Sequence, residues 1–137
     1  MLQLSTELLA SLLAEQESPC ISLYLPTHRH HPDSDGDPIR YRSQLRALEE
    51  SLGAKYATRD IRALAEPFEA LTDDSPFWNH RTDGLAILSA GPVFRAFDLQ
   101  HSVKDLLVVA DSLLVKPLLR ILQSAHRFQI LRLGLHG

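Results

Sequence analysis

The sequence predicts an α/β fold with an α+β tendency: a mixed sheet of about four to five strands flanked by helices. Three observations predict it. The run Cys20-Ile21-Ser22-Leu23-Tyr24-Leu25 has the length and the apolar, β-branched and aromatic content of a buried strand. Two stretches with apolar residues at helical spacing follow, between residues 38 and 71. The second half then carries several short apolar runs divided by turn residues, with no internal repeat.

In chain order, Ser5 is placed to cap a first helix, with Glu7 near its positive end and Leu8, Leu9, Leu12 and Leu13 as its apolar stripe. Ser18-Pro19 stops it, and the strand Cys20–Thr27 follows as the centre of the sheet. Residues 28–37 form a polar loop. Asp37-Pro38 starts a second helix, with the carboxylate as cap and proline at the first helical position; Tyr41, Leu45, Leu48 and Leu52 face inward up to a stop at Gly53. A further helix begins near Thr58 with Ile61, Leu64, Ala65, Phe68 and Leu71 inward, and Pro67 is expected to kink or divide it. Ser75-Pro76 opens a short turn carrying Phe77, Trp78, Asn79 and His80. Gly84–Ala90 reads as a buried strand, Gly91-Pro92 as a turn, and Val93–Leu99 as its antiparallel partner. Leu106–Ala110 reads as a third strand of this half and 117–125 as a short helix. Alternation over 128–135 gives a final strand.

The chain of 137 residues fits one domain, and 45% hydrophobic with 23% charged residues is ordinary globular composition. A formal net charge of −3 gives no global attraction to nucleic acid, so an RNA contact needs a local basic patch. Cys20 is the only cysteine, which excludes an internal disulfide and fits a reducing compartment. No apolar run approaches the ~18 residues of a membrane span. These features imply a cytoplasmic protein without membrane contact.

The loop beyond Leu25 carries the candidate chemistry. His28, His30 and His31 with Asp33, Asp35 and Asp37 are of the types that bind divalent metals, yet they lie on one segment and match no known ligand spacing. A solvated loop, with Asp37 capping the next helix, explains them more simply. Arg29, Arg40, Arg42 and Arg46, with His28, are candidates for a phosphate- or RNA-binding face beside the helix N-terminus. The competing reading is a charged solvent face in which Arg46 pairs with Glu49 or Glu50. Phe77-Trp78-x-His80 suits a partner or base platform, or a plug at the sheet edge; packing is the leading role for Trp78 and His80. No nucleophile elbow, phosphate loop, Cys-x-x-Cys or dinucleotide fingerprint is present, and no cofactor is implied.

Taken together in order, Ile21-Ser22-Leu23-Tyr24-Leu25-Pro26-Thr27-His28-Arg29, Asp37-Pro38-Ile39-Arg40, Phe77-Trp78-x-His80, Asp83-Gly84-Leu85-Ala86, Phe94-Arg95 and Lys116-Pro117-Leu118-Leu119 form a recognisable series. The series resembles the bacterial branch of the archaeo-eukaryotic release-factor superfamily over nearly the whole chain. The resemblance implies that residues 1–126 are a release-factor-like N-terminal domain and 127–137 the first strand of a middle domain. It implies a non-catalytic module contacting the ribosome or tRNA in termination or rescue, because the Gly-Gly-Gln loop that promotes ester hydrolysis belongs to the middle domain. The stop-codon-reading Tyr-x-Cys-x-x-x-Phe pattern falls on Val108, Ala110 and Leu114, which do not match it. The Asn-Ile-Lys-Ser motif has only a loose echo in Pro38-Ile39-Arg40-Tyr41. Codon reading is therefore not among the implied activities. Two other functions compete: a small metal-dependent enzyme built on His28, His30 and His31, and a structural domain forming a homodimer through an exposed sheet edge.

Overall fold

A computed structural model describes residues 2–3, 5–14, 19–91 and 93–124. The chain runs β1 (Leu2–Gln3), α1 (Thr6–Ala14), β2 (Cys20–Pro26), a 3-10 turn (Asp33–Gly36), α2 (Asp37–Gly53), α3 (Thr58–Ala70), α4 (Ser75–Asn79), β3 (Gly84–Ala90), β4 (Val93–Leu99) and β5 (Leu106–Ala110). A helical stretch over residues 116–124 follows. The strands form one five-stranded sheet in the order β1-β4-β3-β2-β5. Only the short β1–β4 pairing is parallel; β2 pairs antiparallel with both β3 and β5. The mixed α/β fold is as the sequence indicates. The expected strand over 128–135, and with it the domain boundary at 126, lies outside the described residues.

The alternation of β2 explains how one strand organises two cores. Ile21, Leu23 and Leu25 face α2, α3 and α4, together with Leu85 and Ile87 of β3. Cys20 and Tyr24 face the opposite layer, with Ala86, Leu88 and Phe97 of the sheet, Leu9 and Leu12 of α1, and Leu118. Because both faces are covered, every residue from Cys20 to Leu25 is buried, which is why the sequence shows a continuous apolar run rather than a two-residue period. Ser22, polar and fully buried, accepts the Leu114 amide at 2.8 Å, and the Tyr24 hydroxyl donates to the Leu114 carbonyl. Two neighbouring β2 side chains thus satisfy both backbone groups of one residue and fix the loop that leads into 116–124.

On the other layer, Tyr41, Leu45, Leu48 and Leu52 of α2 are buried as their spacing predicts. Tyr41 donates its hydroxyl to the Phe68 carbonyl at 2.6 Å, tying α2 to α3. Pro67 does not divide α3, which runs unbroken to Ala70. Gly91 takes a left-handed φ of 56° in the β3–β4 turn, a conformation that favours glycine. Gly84 has a different constraint: a Cβ there would come within 2.5 Å of the His101 carbonyl oxygen. Among the described residues, no helix is long and apolar enough to cross a membrane.

Candidate functional site

Beyond Pro26 the chain leaves the sheet under several polar restraints. The Thr27 hydroxyl donates to the Thr82 carbonyl at 2.6 Å, and the Thr27 amide donates to the Asp83 carbonyl at 3.3 Å. This clamps the exit of β2 to the entry of β3. His28 and Arg29 therefore emerge from a held backbone.

Asp37 is the centre of the site. It has no solvent exposure, and the helix it begins shows no side-chain cap. Its carboxylate turns back to the strand instead, so the expected cap at this residue is corrected. Oδ2 accepts the His28 amide at 2.8 Å, and Oδ1 lies 2.7 Å from His28 Nδ1 and 2.5 Å from Arg40 Nη2. A buried carboxylate needs such donors, since an unpaired charge out of water costs several kcal/mol. A capping hydrogen bond would have offered less to a fully desolvated charge than a guanidinium and an imidazole.

The geometry settles the tautomer of His28 by chemistry. Two unprotonated acceptors do not approach to 2.7 Å, so the proton sits on Nδ1 and is donated to Asp37. The 3.1 Å separation of Arg40 Nη2 from the same Nδ1 is then two donors sharing one acceptor oxygen. Nε2 is then the unprotonated nitrogen of the neutral ring, whose side chain is 38% exposed. This is a carboxylate-oriented imidazole whose second nitrogen has no hydrogen bond among the described residues. Gly36 leaves room for its neighbour, because a Cβ there would lie 2.9 Å from Arg40 Nη1.

The other candidates separate into distinct groups. Arg29 donates through Nε and Nη2 to the two Asp83 oxygens at 3.1 and 3.2 Å, and through Nη2 to Gln100 Oε1. His31 pairs with Asp35 at 2.6 Å on the surface, and His30 is exposed. Thus the loop read as solvated linker contains a 3-10 turn and specific ion pairs. Arg42 and Arg46, four apart, share a helix face on the side of α2 away from Arg40. Arg42 reaches Asp73 at 3.5 Å. Arg46 makes no ion pair among the described residues, so the anticipated partner in Glu49 or Glu50 is absent. Glu49 instead shares a hydrogen bond with Glu69, which, with some desolvation, raises its pKa above the ordinary carboxylate value. The four arginines are therefore not one cluster: Arg40 lies against His28, Arg29 is held by Asp83 and Gln100, and Arg42 and Arg46 share another face of α2.

Trp78 is a packing residue. It is buried, packs against Tyr41 with ring centroids 5.0 Å apart and planes tilted by 54°, and donates its indole N–H to the Leu71 carbonyl at 2.7 Å. His80 is exposed, its Nδ1 donating to the Pro76 carbonyl at 2.8 Å, which completes the end of α4. Among the described residues, no three His, Cys, Asp or Glu side chains converge as metal ligands. The proposed trio His28, His30 and His31 fails to assemble because His28 is drawn inward by Asp37 and His31 outward by Asp35.

One ionic feature carried no sequence signal. Arg81 is buried with its guanidinium 3.7 Å above the Phe77 ring, and its Nε donates to the Phe77 carbonyl at 2.7 Å. Its Nη1 stands 2.9 Å from Asp98 Oδ1 but off the hydrogen-bond direction, making the pair an electrostatic contact. Burial lowers the Arg81 pKa below that of an ordinary arginine, opposed by the charge of Asp98. On the opposite layer of the sheet, α1 and the 116–124 helix leave an open apolar groove of about 530 Å³ that includes Leu13, Leu119 and Leu122. No protein-family model matches the chain, and no curated protein matches it.

Proposed function

We propose that this domain is a non-catalytic, RNA-facing module of a release-factor-like protein, working in the cytoplasm and contacting the ribosome or tRNA. The observation that carries the reading is the pair of half-exposed, carboxylate-held guanidiniums at the exit of β2: Arg29, next to His28 in the chain, and Arg40, 3.1 Å from the His28 ring. Each is oriented by a carboxylate while part of its side chain remains exposed, so it meets a phosphate without losing much side-chain freedom. Arg42 and Arg46 extend the basic surface along α2. The resemblance of the motif series to the release-factor superfamily suggests the kind of partner.

The test is co-sedimentation with ribosomes and filter binding of tRNA across a salt series. The double substitution Arg42→Glu/Arg46→Glu touches only exposed positions and leaves the fold intact. The expected result is weaker binding with a salt slope shallower by about one per cation removed. Binding that is unchanged in this double variant and in Arg29→Ala would overturn the reading.

A second reading, a homodimer through a sheet edge, is favoured by β5. This edge strand, Leu-Leu-Val-Val-Ala, contains no charge and no proline to discourage pairing, and Leu106 is exposed. Light scattering at high concentration that gives a monomeric mass contradicts it.

A further inference from the structure

We infer that His28 reads the ribose: its Nε2 accepts a hydrogen bond from an RNA 2′-hydroxyl, while Arg40 holds the neighbouring phosphate. The inference rests on the RNA-facing reading above and adds the sugar selectivity of that face. The argument begins with the proton on Nδ1. With Nδ1–H donated to the buried Asp37 carboxylate at 2.7 Å, a neutral His28 presents a lone pair at Nε2 on a half-exposed ring. Rotation of the ring would break the contact with Asp37, so the acceptor is fixed in place. Arginines and lysines dominate a phosphate-binding surface and contain no acceptor at all. An acceptor on a ring held 3.1 Å from the Arg40 guanidinium therefore matches a ligand that offers an anion and a hydroxyl donor a short distance apart. The ribose-phosphate backbone offers both at each nucleotide, and DNA lacks the hydroxyl. Asp37 serves as the positioning residue, holding the ring through Nδ1.

The test uses the full chain and three fluorescein-labelled single strands of one sequence: RNA, DNA and 2′-O-methyl RNA. Fluorescence anisotropy is expected to give RNA about tenfold tighter than DNA, the worth of one well-placed hydrogen bond. The 2′-O-methyl strand keeps an RNA-like sugar but has no donor, and it is expected to bind like DNA. The variant His28→Asn keeps an N–H near the Nδ1 position for Asp37 and removes Nε2. It is expected to retain DNA affinity and thermal stability while losing the preference for RNA. Equal affinity of the wild type for RNA and DNA, or a preference that survives in His28→Asn, overturns the role of His28 while leaving the RNA-facing reading in place. Failure of the wild type to bind any of the three strands overturns the role of His28, and failure to bind ribosomes and tRNA as well overturns both.

Discussion

His28 Nδ1 and Asp37 Oδ1 meet at 2.7 Å across the exit of β2, one side chain half-exposed and the other wholly buried. The asymmetry decides the energetics. Asp37 depends on three donors, two of them from His28, whereas His28 depends on Asp37 only for its orientation.

Asp37→Asn is therefore expected to be costly. Its amide group must present N–H to either the His28 amide or the Nδ1–H, placing donor against donor. Urea denaturation should show a loss of about 3 kcal/mol. Asp35→Asn, which disturbs only the exposed pair with His31, should change stability by less than about 0.5 kcal/mol.

Ser22→Ala removes the acceptor for the Leu114 amide and leaves that N–H unpaired in a part-buried setting. The expected loss is about 1 kcal/mol. Hydrogen exchange locates it: the Leu114 amide should exchange faster in the variant while the amides of β2 and β3 keep their protection.

Trp78 is the only tryptophan, so its fluorescence reports on α4 directly. Trp78→Ala should cost about 3–5 kcal/mol by emptying a site packed against Tyr41 and Phe77. Trp78→Phe keeps most of that packing and loses the bond to the Leu71 carbonyl, for about 1 kcal/mol plus a small cavity term. Comparison of the two denaturation curves separates packing from hydrogen bonding.

Glu49 and Glu69 give a pH dependence whose sign is fixed by their shared proton. Because the folded state raises the pKa of Glu49, the contribution of the pair is present below the ordinary glutamate value and is lost as pH rises through the raised one. Glu49→Gln mimics the protonated form at every pH. Its melting temperature should exceed that of the wild type by about 1–2 °C at neutral pH, the gap closing as the solution is acidified. Both residues are exposed, which keeps the effect small.

The strands were legible where the residues allow one reading. Gly84–Ala90, Val93–Leu99 and Leu106–Ala110 have the bounds that their apolar runs indicate, and α2 and α3 follow their inward stripes. The geometry around Asp37 was not legible. Asp37 stands before a proline at a helix start, a position where a local cap is the usual outcome; only the backbone of β2, brought back by the fold, supplies a better set of donors. Arg40, three residues on, was the one available hint, since that spacing places it over Asp37 on the helix. The partnerships Arg29–Asp83 and Arg81–Asp98 join residues far apart in the chain, and no local pattern encodes them. Pro67 lies inside α3, and of the kink or division expected there the division does not occur.

The place of β2 in the sheet also sets an order of events for a growing chain. Its first full-length partner, β3, is complete only at Ala90, and its second, β5, only at Ala110. Until Ala90 is made, a strand of seven mostly apolar residues has both backbone edges unpaired, and one edge stays open until Ala110. Such long-range pairing slows folding and exposes the strand to aggregation during synthesis. Shortened versions of this chain that end before residue 106 should therefore be the ones that require a chaperone.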